Sequence, residues 1–113
     1  MQYRYNKLIR DNIPKKFGQL GKKYVLHTAT SDEEYWMKLK EKLQEEINEF
    51  GLKEDIETLA DIYEILDTII TFKKFDTKEI MAMKENKAIE FGKFTERLVL
   101  DESEEEFGKP KSQ

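Results

Sequence analysis

The chain has 113 residues, no cysteine, a hydrophobic fraction of 38%, a charged fraction of 39% and a formal net charge of -4. That length fits one domain with a thin core, which another copy could help complete, and the missing cysteines exclude disulfides, zinc–thiolate sites and thiol nucleophiles. The acidic balance argues against broad binding to polymeric nucleic acid, and no run approaches the ~20 apolar residues that span a bilayer. Residues 1–7 lack the apolar centre of a signal peptide, so a cytoplasmic protein with no membrane partner is expected.

In chain order, residues 9–17 suggest a short helix interrupted or opened by Pro14 and ended by Gly18 and Gly21. Residues 23–30 read as a short extended segment. Ser31 followed by Glu34 matches a capping box, with Asp32 and Glu33 suited to the positive end of a helix. Trp36, Leu39, Leu43, Ile47 and Phe50 then recur at helical spacing, and Gly51 reads as the stop, which predicts a helix over 31–51. A second long helix is predicted over 54–72. Ile56, Leu59, Tyr63, Leu66 and Ile70 share one of its faces, and Ile62, Ile65 and Ile69 widen that face beyond half the circumference.

A helix so apolar needs cover on more than one side, which predicts a homodimer or higher homo-oligomer. Asp76 with Glu79 suggests another capping box, opening a third, shorter helix that runs to Phe91 and stops at Gly92. Residues 94–100 alternate in part and are a candidate strand to pair with 24–28. Residues 1–100 therefore read as a single all-α domain, a helical bundle with two long antiparallel helices and a small two-strand pairing of the terminal segments. The acid-rich stretch 101–113 reads as a disordered tail.

The two long helices each carry a strip of acids. With Leu43 at the centre of the first apolar stripe, Glu46 lies about 60° off, Glu49 about 120° and Glu45 about 160°. On the second helix Glu57, Asp61 and Glu64 form another strip. A short connection makes the helices antiparallel and puts Glu46 and Asp61 roughly 8 and 10 Å from the turn, at about one level. Oxygen-only ligands on facing helices suit Mg²⁺, with Mn²⁺ as an alternative, and the chemistry implied is attack of water on a phosphoanhydride with a carboxylate as base. Solvated helix faces produce the same spacing by chance in a chain with 24 acids, so spacing alone does not decide it.

Glu45-Glu46-Ile47-Asn48-Glu49 followed by Leu59-Ala60-Asp61-Ile62-Tyr63-Glu64 resembles the paired acidic motifs of the MazG-like all-α pyrophosphohydrolases, a group that includes the phosphoribosyl-ATP pyrophosphohydrolases. Residues 5–14, 31–34 and 87–97 resemble short stand-alone members of that family, in the same order. The resemblance implies a dimeric or larger helical bundle that cleaves a nucleoside triphosphate or related anhydride to a monophosphate and pyrophosphate. It gives the metal-ligand roles to Glu46, Glu49 and Asp61; Glu57 and Glu64 are nearby acids placed to assist, and Glu45 is a candidate catalytic residue. It departs from the family at Thr58, where the second motif carries a Glu three residues before the Asp.

Lys7, Arg10, Lys84, Lys87 and Arg97 are candidates to hold substrate phosphates, because a multiply charged anhydride needs cations beside the metal. Their alternative is a solvated surface or structural ion pairs. His27 lies in an apolar stretch and is expected to be a packed side chain, and Trp36 fits the core stripe. The neutral Thr58 sustains a second reading, a weakened homologue that binds a nucleotide or a protein partner without turnover.

Overall fold

The computed structural model describes residues 3–106, in which four helices and no strand are found. The helices are α1 (Ile13–Gln19), α2 (Asp32–Lys53), α3 (Ile56–Lys73) and α4 (Thr77–Phe91). They fall into two compact units, Met1–Phe75 and Asp76–Gln113. No helix among the described residues is long and apolar enough to cross a membrane.

In the first unit, α1 starts later than the sequence suggests. Pro14 sits in its opening turn, where a missing N–H costs nothing, so it opens the helix and residues 9–12 stay outside it. Past its end, Gly21 takes φ 68°, and the Lys22 N–H reaches the Phe17 carbonyl at 2.9 Å.

Ser31 caps α2 as expected, its hydroxyl accepting from the Glu34 N–H at 3.1 Å. The reciprocal half of the box is shifted by one residue, because the Glu34 carboxylate accepts from the Thr30 N–H at 2.8 Å. Gly51 is not the stop. A single glycine inside a helix costs only about 1 kcal/mol, and Leu52 and Lys53 carry the helix on. The reversal falls on Glu54, left-handed at φ 52° and ψ 44°, whose N–H bonds the Phe50 carbonyl at 2.8 Å. Asp55 then caps α3 by accepting from the Thr58 N–H at 2.9 Å.

With only Glu54 and Asp55 between them, α2 and α3 fold back on each other. Tyr35 and Trp36 at the start of α2 meet Phe72 at the end of α3, which fixes the antiparallel sense. The Tyr35 ring stands edge-on at 5.1 Å and the Trp36 ring is stacked at 6.1 Å. Lys73 lies 4.0 Å above the Trp36 ring. Leu39 (1% exposed) and Ile65 (8%) form the buried apolar centre of this seam, and Thr58 (3%) is the buried polar residue of the same helix pair. Thr58, Ile65 and Phe72 recur at two-turn intervals, so one side of α3 faces α2. The other apolar side, with Ile56, Leu59, Tyr63 and Leu66, is exposed.

The second unit consists of α4 and the residues after it. Asp76 caps the helix by accepting from the Lys78 N–H at 2.8 Å, and Gly92, at φ 86°, ends it with its N–H on the Ala88 carbonyl at 2.9 Å. Neither candidate strand forms. Residues 22–30 run without regular structure, and the Arg97 N–H closes a turn onto the Phe94 carbonyl at 3.3 Å. Arg97 takes φ 62°, which bends the chain out of an extended path, and a short run without an established partner strand has little stability of its own. Of the expected tail, residues 101–106 are exposed and outside any helix, and 107–113 lie outside the described residues.

Candidate functional site

The acids singled out from the sequence lie on α2 and α3, and the fold supplies each principal one with a cation. The Asp61 Oδ1 accepts from the Arg10 guanidinium at 2.7 Å. The Glu45 Oε1 accepts from Lys7 Nζ at 3.1 Å and from Lys42 Nζ at 3.2 Å. Glu46 faces the same Lys42 ammonium at 3.5 Å, and Glu49 pairs with Lys53 Nζ at 2.9 Å. Glu46 is the most covered of the four, with a side chain only 12% exposed and an ion pair too long for a good hydrogen bond.

These pairs are of two kinds. Lys42 and Lys53 are one helical turn from their acids, so α2 itself sets the contact. Lys7 and Arg10 arrive from the N-terminal segment, 38 and 51 residues away in sequence. The Arg10 side chain is 57% exposed and that of Lys7 39%, and ion pairs so open to water contribute about 0–1 kcal/mol each. The contacts orient the carboxylates without locking them.

Partial burial pushes the Glu45 carboxyl upward, but hydrogen bonds from Lys7 and Lys42 and the two positive charges outweigh it and leave the group below its ordinary range. A carboxylate held down in this way is a poorer proton acceptor than a free one. Lys53 is raised, first by its hydrogen bond to Glu49 and then by that carboxylate's charge.

Glu57 and Glu64 are exposed on α3. Glu64 lines a shallow cleft of about 290 Å³ with Tyr35, Asp67, Thr68, Thr71 and Phe72. Among the described residues, no three acidic or histidine side chains converge into a group that could hold a metal ion. The donors are the oxygen ligands a hard divalent cation takes, but each of Glu45, Glu46, Glu49 and Asp61 is turned to an ammonium or guanidinium.

Thr58 occupies the position where the acidic motif has its extra carboxylate. It is buried at the first turn of α3, with its N–H and its hydroxyl both bonded to the Asp55 carboxylate, and these two bonds hold Asp55 below its ordinary range. Its role here is in the helix cap and the core. Of the remaining candidate phosphate binders, Lys84 is exposed and Lys87 half-buried on α4, and Arg97 lies in the turn after it. All three belong to the second unit.

His27 is not packed. Its side chain is 61% exposed and its Nε2 lies 2.7 Å from Glu34, the residue that also holds Thr30. The apolar neighbours Val25 and Leu26 are themselves exposed, so that stretch offers no interior for it. Sequence reasoning also passed over Lys42 and Lys53, although their spacing to Glu45, Glu46 and Glu49 is an ordinary helical pairing signal. Comparison of the chain with protein-family models, curated proteins and solved structures gives no match.

Proposed function

We propose that this chain is a Mg²⁺-dependent nucleotide pyrophosphohydrolase of MazG-like type, acting on a nucleoside triphosphate or related phosphoanhydride. The observation that carries the reading is the meeting of two opposite charge sets on one helical hairpin. Glu45, Glu46 and Glu49 on α2 and Asp61 on α3 supply the carboxylates, and Lys7 and Arg10 reach two of them from a distant part of the chain. A site that must hold both a divalent cation and a polyphosphate needs both sets together.

Glu46, Glu49 and Asp61, with Glu57 or Glu64 assisting, are the ligand candidates. A divalent cation held there would stabilise charge on the phosphoanhydride and make water a better nucleophile near neutral pH. Glu45, freed of Lys7, would accept the proton from the attacking water. Lys7 and Arg10 would bind phosphate oxygens. Products would be a nucleoside monophosphate and pyrophosphate.

The same reading makes the working form a homodimer or larger. Leu39 and Ile65 are the buried apolar side chains among the described residues, and the outer face of α3 leaves Ile56, Leu59, Tyr63 and Leu66 in water. Burial of that face against a second copy supplies apolar area that the isolated hairpin lacks. Light scattering at micromolar protein should give at least twice the chain mass.

The test is pyrophosphate release from a panel of nucleotides with and without Mg²⁺, for wild type and Asp61→Asn. Release should depend on Mg²⁺ and fall at least a hundredfold in Asp61→Asn, with helical content unchanged. Undiminished turnover in the variant would falsify the assignment. The other reading, a helical module that binds a nucleotide or protein partner without turnover, draws on the cation-paired acids and on Thr58 buried in the core. It predicts nucleotide binding with no pyrophosphate released under any metal condition.

A further inference from the structure

Charge is segregated along this chain. Residues 3–23 carry seven cations against the single acid Asp11, and the residues after them hold 13 cations against 23 acids. The formal net charge of -4, which argues against broad binding to nucleic acid, averages over the two parts and hides the first. At physiological salt, charges are screened beyond about 8 Å, so a ligand on this segment meets its local charge and not the sum. Two of the seven cations, Lys7 and Arg10, are engaged by Glu45 and Asp61. The other five, Arg4, Lys15, Lys16, Lys22 and Lys23, are exposed and make no ion pair among the described residues. Elsewhere in the same unit, Lys38, Lys42 and Lys53 each sit against a carboxylate.

Exposed rings lie among these cations. Arg4 is flanked by Tyr3 (73% exposed) and Tyr5 (68%), whose rings stand 6.5 Å apart with their planes 30° from parallel. Lys22 and Lys23 lead into Tyr24, whose ring meets Phe17 of α1 at 5.9 Å. That contact, with the bond from the Lys22 N–H to the Phe17 carbonyl, folds the chain back on α1 and gathers Lys15, Lys16, Lys22 and Lys23 into one short stretch.

We infer that residues 3–24 form a docking surface for single-stranded nucleic acid, with the five unpaired cations on its phosphates and Tyr3 and Tyr5 stacking on its bases. Cations along a phosphate chain bind by releasing its counter-ions, and open rings stack on any base that is not already paired. A duplex would use the cations and leave the tyrosines idle. An anionic bilayer fits less well. Leu20, Val25 and Leu26 are exposed nearby, but α1 is only two turns long and its apolar Ile13 and Phe17 are half-buried, so it offers no amphipathic face to lie in a lipid surface. None of the five cations is needed for the reaction proposed above.

The experiment measures fluorescence anisotropy of a labelled oligouridylate of about 20 nucleotides with the full chain across a salt series. Wild type should bind with a Kd of about 1–100 µM at about 0.1 M salt, the range of sequence-independent contacts. If each of the five cations meets one phosphate, log affinity should fall with log salt at a slope of about -3.5. Lys15→Gln/Lys16→Gln/Lys22→Gln/Lys23→Gln should flatten the slope to about -0.7 and weaken binding at least tenfold. Lys40→Gln/Lys74→Gln/Lys78→Gln/Lys93→Gln, which removes the same charge from exposed positions elsewhere, should change affinity less than threefold. Tyr3→Leu/Tyr5→Leu keeps the apolar surface and removes the rings, so it should weaken binding at least fivefold with the slope unchanged. A duplex of the same length should bind at least threefold more weakly than the single strand.

No binding of the oligouridylate at about 0.05 M salt, or an equal loss in the two lysine variants, overturns the surface. A tyrosine variant that binds as wild type does, or a duplex that binds as tightly as the single strand, overturns it as well. Cosedimentation with phosphatidylserine vesicles while the oligouridylate fails to bind overturns it in favour of a lipid surface. A lysine variant that has lost the helical content of wild type is replaced by Lys22→Gln/Lys23→Gln, outside any helix, for which the slope should shrink by about 1.4 and an unchanged slope counts against the surface.

Discussion

The α2–α3 pair is held in different ways at its aromatic end and along its charged stretch. At one end Tyr35, Trp36 and Phe72 interlock, and Leu39 and Ile65 close the seam next to them. Further along, toward the turn, the contacts are ion pairs between Lys7, Arg10, Lys42 or Lys53 and the acids. Apolar packing is not screened by salt, and close-packed side chains hold geometry. Exposed ion pairs add little to stability and are easily exchanged. The fold places its apolar packing at one end of the hairpin and its exchangeable ion pairs at the other.

The strongest way to break that comparison is to weaken the aromatic end. Leu39→Ala should destabilise the chain by about 2–5 kcal/mol in urea unfolding, the range for truncating a buried leucine. Loss of less than about 1 kcal/mol would mean that the seam is not what holds the hairpin.

Thr58→Glu comes next, and it joins the two regions. The new carboxylate would enter a buried position beside Asp55, so a loss of about 3 kcal/mol is expected in metal-free buffer. The metal reading adds that saturating Mn²⁺ should recover part of the loss, because the extra acid gains a counter-ion. No recovery in thermal melts would place residue 58 in the core and outside the site.

The smallest effect is in acid. The hydrogen bond to His27, then the Thr30 N–H, lower Glu34 from 4.5 to about 2, and Asp55 is lowered as well. A carboxylate whose folded pKa lies below its unfolded one stabilises the fold fully above about 4.5, and that contribution disappears as the pH falls toward 2. The melting midpoint of wild type should therefore drop more steeply between pH 4.5 and pH 2 than that of Glu34→Gln. Parallel curves would remove the Glu34 cluster from the account of how α2 begins.

The three longer helices were legible because local physics dictates them. Ser31 and Asp76 cap α2 and α4, and the apolar residues of α2 and α3 recur at helical spacing. The stop at Gly51 was misread because a glycine inside a helix is only a weak penalty, whereas the reversal at Glu54 depends on a capping bond to Phe50 and on Asp55 starting the next helix. The strands were misread because alternation in a short run says nothing about whether a neighbour is there to pair with. In the candidate site the acids were visible and their partners only in part. Lys42 and Lys53 are near neighbours of their acids, but Lys7 and Arg10 find theirs through the tertiary fold, and no local pattern encodes that.

The hairpin turn has a consequence for how this site could vary. Glu54 and Asp55 leave no slack between α2 and α3, so each residue of α3 has a fixed angular address relative to α2. One residue inserted inside α3 between Thr58 and Asp61 would rotate everything beyond it by about 100° relative to the capped first turn. Asp61 would swing away from Arg10, and Ile65 would leave the seam. Substitutions can therefore accumulate along this hairpin, but a length change of one codon is a change of face, and the reading frame of the acids is tied to that of the core.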